Sequence, residues 1–344
     1  MKYMTIVRTA GTLLVGLCCM TINLVAQGGD PVLVGAGDVA GCDSSKLVNP
    51  QATATLLDSI SGTVFAAGDL AYQDGAEVNF SRCYDPTWGR HRARTKPIVG
   101  NHEYQTPGAV DYYNYFGPAA GDPTKGYYSF DLGTWHIVVI NSECSQVGGC
   151  TSTSPQATWL QADLAAHPTT CTLALWHRPL FTSSSNTAAS SMKPIWQVLF
   201  NNSADVVING HAHNYERFTP QDPNGVANSA TGIREFVVGT GGESHGNFDT
   251  VAANSEIRTT LLTVFSRSRY TPPVMIGSLF QSRLRLSPIR AVDPATEPNS
   301  DWVLCAAARF IFPTWCTIGA PLIVAPTART SRARTTFPGP PPSD

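Results

Sequence analysis

The chain has 344 residues, enough for one large domain or two small ones. Its formal net charge of −2 conceals a division: residues 27–256 carry 11 Lys+Arg against 21 Asp+Glu, whereas 257–344 carry 10 Arg, no Lys and 4 Asp+Glu. No apolar run past the first 26 residues is long enough to span a bilayer, and no Cys-x-x-Cys pair is present for a thiolate zinc site.

Residues 1–26 read as an export signal. Lys2 and Arg8 give a positive start, Thr12 to Met20 a short apolar stretch, and Leu24-Val25-Ala26 a small-residue cleavage site. Leu17 and Cys18 precede Cys18 and Cys19 where lipidation would want a small residue, so no lipid anchor is expected. The expected location is therefore secreted or periplasmic, where disulfides persist. Cys144 and Cys150 flank a Gly-rich loop they could close, and Cys42 and Cys83 could staple neighbouring loops. Cys171 is the fifth cysteine of this region, and spacing leaves the connectivity open.

From residue 31 onward, five hydrophobic runs read as buried strands. Pro31 to Val34 leads to Gly37-Asp38, and Thr63 to Ala67 leads to Gly68-Asp69-Leu70-Ala71-Tyr72. Pro97 to Val99 leads to Gly100-Asn101-His102-Glu103. Thr172 to Leu175 leads to Trp176-His177, and Asp205 to Ile208 to Gly210-His211-Ala212-His213. In an α/β sheet, ligands bind in the crevice beyond the strand C-termini. Two Asp, one Asn, three His and a Tyr brought there exceed what one metal ion needs, which argues for two.

Each motif alone is weaker. Gly-Asp is common in turns and helix caps. The glycine lets a carboxylate project from the strand end, and Asp69 has two oxygens with which to bridge two ions. In Gly100-Asn101-His102-Glu103, the amide oxygen suits a hard divalent ion and His102 could stay off the metal as an acid; the blander alternative is a capped turn. His211 and His213, one residue apart, would point the same way in extended backbone. Each could serve its own ion, or both the same one. Asn214-Tyr215-Glu216-Arg217 continues this motif, and Arg217 is expected to pair with Glu216 or another carboxylate behind the ligands.

Between the motifs, Arg90 to Lys96 reads as a solvated helix end rather than a substrate-attracting rim. Tyr112, Tyr113, Tyr115 and Phe116 read as packing rather than a platform for a base. Tyr127 to Leu132 and Trp135 to Ile140 predict two strands around Gly133. Ser154-Pro155 starts a helix to about Ala166, Met192 to Phe200 is another, and Ile233 to Val238 is a strand of a second sheet. After residue 256 no apolar periodicity persists, arginine recurs without lysine, and the end is Pro-rich. Frame-shifted sequence accounts for residues 257–344 better than a basic arm for nucleic acid, and the segment is expected to be disordered.

The ordered set Asp38, Gly68-Asp69-x-x-Tyr72, Gly100-Asn101-His102-Glu103, His177 and Gly210-His211-x-His213 resembles the calcineurin-like metallophosphoesterases. Tyr72 and the run Asn214 to Arg217 resemble their purple acid phosphatase branch, over about residues 31 to 245. The resemblance implies a four-layer α/β/β/α sandwich of two mixed sheets flanked by helices, occupying 31–256. It implies one metal at Asp38, Asp69, Tyr72 and His213, and another at Asp69, Asn101, His177 and His211. A tyrosinate implies Fe(III) in the first, with Zn(II), Mn(II) or Fe(II) in the second. His102 would be the outer acid, with Glu103, Asn214, Glu216 and Arg217 supporting the ligands.

The implied activity is hydrolysis of small phosphomonoesters by a metal-bound hydroxide, with no nucleic-acid or membrane partner. Oligomeric state has no signature in the sequence. The competing readings are a phosphodiesterase or nucleotidase on the same scaffold, and a non-catalytic, poorly folded truncated homologue. Two departures stand out. Arg178 follows His177 with no further histidine nearby, and the strands expected after Gly239-Thr240-Gly241-Gly242 fall near the start of the basic tail.

Overall fold

The computed structural model describes residues 31–43, 48–168, 171–185, 188–260, 285–286 and 308–311. The export signal at 1–26 and most of 257–344 lie outside the described residues.

β1 (Val32–Ala36), β2 (Thr63–Ala67) and β3 (Thr95–Ile98) pair in parallel, with helix α1 (Val48–Asp58) crossing between the first two. β1 and β2 are near-continuous apolar runs because both faces are covered. Leu33, Phe65, Ala67 and Ile98 face inward, while Val34, Ala36, Val64 and Ala66 face the helical side.

The second sheet contains β4 (Tyr128–Leu132), β5 (Trp135–Val139), β6 (Cys171–Leu175), β7 (Val206–Asn209), β8 (Tyr215–Phe218), β9 (Arg234–Val238) and β10 (Ser255–Thr259). Their order is β10-β8-β9-β7-β6-β5-β4. β5, β6, β7 and β9 run parallel, and β4, β8 and β10 antiparallel to their neighbours. Trp135, Ile137, Leu173, Leu175, Ile208, Phe236 and Val238 meet the first sheet's inner face. α2 (Val110–Phe116) packs outside the first sheet. α3 (Pro155–Ala166) and α4 (Lys193–Asn201) pack outside the second. The four layers expected from the resemblance are therefore present: two mixed sheets packed face to face, with helices on both outer faces.

Local chemistry accounts for the predicted elements. Ser154 Oγ accepts from the Ala157 N–H at 3.3 Å, and Pro155 occupies the first turn of α3. Gly133, at φ 64°, turns β4 into β5. α4 buries Ile195, Trp196, Val198 and Leu199 on one stripe. Helix α1 carries no comparable signal, since its Ala and Thr residues blur the apolar period.

The basic run at 90–96 is used structurally. Arg90 grips Asp58 at the end of α1 with Nε and Nη2, each at 2.8 Å. Arg94 donates to the carbonyls of Leu57, Ile60 and Gly62. Tyr112, Tyr113 and Phe116 are core residues, and Tyr115 is partly buried against that core. Disulfides join Cys42 to Cys83 and Cys144 to Cys150, and Cys171 is disulfide-bonded as well.

The charge break does not coincide with a structural one. β10 runs through residue 256 and stays paired with β8 as far as Thr259. Within the tail, β11 (Arg285–Leu286) and β12 (Ala308–Ile311) continue the first sheet, β12 lying antiparallel to β1. A tail without elements was expected; at these six positions, backbone pairing needs no apolar period to form. Among the described residues no helix is long and apolar enough to cross a membrane.

Phe65 is fully buried between the sheets. Phe65→Ala is expected to lower stability by about 3–5 kcal/mol through lost burial and a residual cavity. Urea unfolding followed by tryptophan fluorescence reads this directly.

Candidate metal centre

The site forms where the C-terminal ends of β1, β2, β3, β6 and β7 meet across the two sheets. Backbone bonds zip these loops together. Asp38 N–H donates to Gly68 O at 2.9 Å and Val39 N–H to Asp69 O at 2.9 Å, joining the ends of β1 and β2. Gly37 N–H donates to Val238 O at 2.9 Å and Gly241 N–H to Gly37 O at 2.7 Å, tying the first sheet to the second.

Asp38, Asp69, His211 and His213 have φ of 61°, 53°, 70° and 51°. Four non-glycine residues in the left-handed region is a concentration of backbone strain, held in place by its surroundings. His211 and His213 therefore do not leave an extended backbone side by side, as the strand reading assumed. The turn sends them apart, one to each half of the site. Gly68 has φ 82°, and a Cβ there would lie 2.4 Å from His177 Nδ1, so only glycine fits.

Each aspartate spends one oxygen on a neighbouring backbone. Asp38 Oδ2 accepts from His211 N–H at 2.7 Å, and Asp69 Oδ1 from His102 N–H at 2.9 Å. The remaining oxygens face the centre. Asp38 Oδ1 lies 2.9 Å from Tyr72 OH and 3.1 Å from His213 Nε2. Tyr72 OH and His213 Nε2 are 3.0 Å apart. Asp69 Oδ2 lies 3.2 Å from Tyr72 OH and 3.0 Å from His177 Nε2, so this one oxygen, rather than both, faces the two halves.

On the second side His177 Nε2 is 3.2 Å from His211 Nδ1. Donor atoms of Asp69, His177 and His211 all lie within 4.8 Å of one another. Asn101 Oδ1 is buried with no hydrogen-bond partner, as a neutral ligand waiting for a cation would be.

The imidazoles are oriented from behind. His177 Nδ1 bonds Ala67 O at 2.8 Å, and His213 Nδ1 bonds Ser244 Oγ at 2.5 Å, which turns both Nε2 atoms inward. Glu103 is fully buried and accepts from the N–H groups of Asp69, Leu70 and Gly100 at 3.0, 2.7 and 2.8 Å. Burial, then the charge of Asp69, pushes its carboxyl up to about 7.

His102 is partly exposed at the opening. Its Nδ1 rests on Gln73 O, and its Nε2 stands 3.8 Å from Asp69 Oδ2. A cavity of about 460 Å³ adjoins it, lined by Tyr72, Asp43, Asp74 and Glu243 among others.

The protonation pattern shows what the site demands. Burial would raise Asp38, but the charge and hydrogen bond of His213 hold it low. Burial is likewise outweighed at Asp69, by His177. Burial opposes a proton on His177, yet Asp69 lifts it to about 10; Asp38 does the same, to a lesser extent, for His213. Burial, then His177 and Arg178, press His211 down to about 3. Burial and both aspartates keep the Tyr72 phenol far above its ordinary value. Two buried carboxylates thus draw protons onto the imidazoles facing them. Metal cations would supply that positive charge and free the same nitrogens as ligands. The donor set fits two ions: Asp38, Asp69, Tyr72 and His213 on one side, and Asp69, Asn101, His177 and His211 on the other.

The remaining expected supports divide. Alternation along β8 buries Glu216 and turns Arg217 outward. Glu216 accepts from Ser183 N–H at 2.8 Å and Ser255 Oγ at 2.5 Å, and Asn214 Nδ2 donates to Ser184 Oγ at 2.6 Å. Both brace the loop after His177 rather than a ligand. Of the two partners expected for Arg217, Glu216 or another carboxylate, it takes the second, Glu256 at 2.8 Å, but on the sheet surface rather than behind the ligands. Ser244, which orients His213, carries little signal in the sequence beyond the Gly241-Gly242 turn before it.

Comparison with known proteins agrees with this geometry. Residues 47–215 match the family model for calcineurin-like phosphoesterase. The chain is similar to Purple acid phosphatase 22 of Arabidopsis thaliana, 29% identical over 176 residues, covering 44% of this chain and 38% of the relative. It is also similar to Probable inactive purple acid phosphatase 9 of the same plant, 25% identical over 190 residues, covering 41% and 29%. Among solved structures, purple acid phosphatase PPD1 from yellow lupin (Lupinus luteus) superposes with TM-score 0.53 at 19% identity, covering 68% of this chain and 48% of that one. The chain thus spans less than half the length of these relatives. With the family model, the four-layer fold and the ordered ligand motifs in agreement, residues 47–215 form a calcineurin-like phosphoesterase domain, and the chain is similar to purple acid phosphatases.

Proposed function

We propose that this protein is an exported phosphatase that hydrolyses small phosphate monoesters at a two-metal centre. Asp38, Asp69, Tyr72 and His213 would hold Fe(III), and Asp69, Asn101, His177 and His211 would hold Zn(II), Mn(II) or Fe(II). The observation that carries this reading is Asp69 Oδ2, which faces Tyr72 OH at 3.2 Å on one side and His177 Nε2 at 3.0 Å on the other. Metals bound there supply Lewis acidity toward the phosphoryl oxygens and make a water acidic enough to attack.

The chain's own groups do the rest. The two aspartates, fixed through their outer oxygens, hold the charge without reorganising. His102, anchored through Nδ1, directs Nε2 toward Asp69 Oδ2 at 3.8 Å, which sets it beside the centre as the proton donor to a leaving alkoxide. The adjoining cavity has room for the alcohol portion of a small ester. A small alcohol portion is favoured over a nucleoside because Tyr112, Tyr113 and Phe116 are buried in the core, and Tyr115 is partly buried, stacked on Phe80 with the Arg92 guanidinium over its ring. Disulfides at Cys42–Cys83 and Cys144–Cys150 support export to an oxidising compartment, secreted or periplasmic. No nucleic-acid or membrane partner is part of this reading.

Metal analysis with a visible absorption spectrum tests the centre. Two metals per chain and a charge-transfer band that vanishes in Tyr72→Phe are expected. A folded protein that binds no metal would falsify the two-metal reading, and a colourless two-metal protein would remove Fe(III) and the tyrosinate.

For His102→Ala, kcat on an alkyl phosphate is expected to fall by about 10²–10⁴-fold. p-Nitrophenyl phosphate, whose leaving group needs no proton, should lose much less. An equal loss on both esters would assign His102 a role other than proton donor.

A further inference from the structure

Arg178 occupies a position that the metal-ligand set does not explain. Its backbone is pinned on both sides: its N–H donates to Ser142 Oγ at 3.0 Å, and its carbonyl accepts from Trp176 Nε1 at 2.8 Å. Its guanidinium is held along one edge by Glu143, Nε to Oε1 at 2.7 Å. From there Nη1 reaches His211 Nε2 at 3.0 Å. The side chain is 30% exposed, so it touches both the site and solvent.

The donor and acceptor roles of the two side chains limit this contact. The guanidinium can only donate, so His211 Nε2 must accept. The other ring nitrogen, Nδ1, then carries the hydrogen, and it is Nδ1 that faces His177 Nε2. As a metal ligand, Nδ1 would need its lone pair free, and the hydrogen would move to Nε2. Two donors would then face each other at this contact. Arg178 cannot keep His211 as its acceptor once His211 is a ligand. Glu143 still holds the Nε edge, so the Nη edge remains at the rim of the site, charged and short of an acceptor.

We propose that Arg178 binds the phosphoryl oxygens of the substrate, with Glu143 aiming its guanidinium. The inference rests on the phosphatase reading above and deepens it: the ligand class is a phosphate monoester dianion or inorganic phosphate. A planar guanidinium with paired N–H groups matches the oxygens of a phosphoryl group.

The test is equilibrium binding of inorganic phosphate to the metal-loaded full chain, by titration calorimetry, with metal content measured on the same samples. Arg178→Ala is expected to weaken phosphate about 10- to 100-fold, the range a charge-assisted hydrogen bond supports. Metal content should match the parent, and Arg178→Lys should recover part of the loss. KM for a monoester should rise more than kcat falls.

Unchanged phosphate affinity at equal metal content overturns the proposal. So does loss of metal in step with loss of phosphate in both variants, which would make Arg178 a prop for His211. A parent chain that binds phosphate through Arg178 yet turns over no ester would sink the hydrolase reading and leave this one standing. A parent that hydrolyses esters while Arg178→Ala binds phosphate as tightly would sink this one alone.

Discussion

The structure depends on two carboxylates buried where the sheets converge. Asp38 and Asp69 are 0% and 1% exposed, and burying an unpaired charge is costly. Each gives one oxygen to a backbone N–H of another loop, so neither can turn away from the centre. Their other oxygens must be met by positive charge, and the surrounding imidazoles supply it in protonated form. The same requirement explains why this position suits metal ions.

Holding that arrangement strains the chain. Asp38, Asp69, His211 and His213 all sit at positive φ, a conformation of order 1–3 kcal/mol unfavourable for each. Four layers of packing keep it there. Phe65, Ile137, Leu173, Ile208 and Phe236 clamp the sheets face to face, and Gly37 connects the loops across them. Glu103, buried under three N–H groups at the ends of β2 and β3, stiffens the floor on which Asp69 stands. Preorganised ligands of this kind need not rearrange when charge develops on a reacting group.

The opposite edge of the site is built differently. His102, Arg178 and the loop braced by Glu216 and Asn214 are more exposed or rest on side-chain contacts. A rigid charged floor thus meets a more adaptable rim.

Much of this was legible in the residues. The five apolar runs ending in Asp38, Asp69, Asn101, His177 and His211 marked both the strands and the polar ends that converge, because a strand buried on both faces has few ways to be polar except at its tip. Ser154-Pro155 and Gly133 marked a helix start and a hairpin for equally local reasons. Other features belonged to the tertiary structure alone. Which aspartate oxygen faces the centre depends on N–H groups more than 30 residues away in sequence. The divergence of His211 and His213 came from a left-handed turn where an extended strand end was expected. Arg217 went to Glu256 because alternation along β8 turned it outward. Arg178 acquired its partners, Glu143 and His211, only through the crossing of loops from different strands. Residue type and local period determined which groups this protein owns and roughly where along each element they lie. The long-range pairing of the two sheets decided which atom of each group meets which, since hydrogen-bond direction and distance exist only once distant segments are packed together.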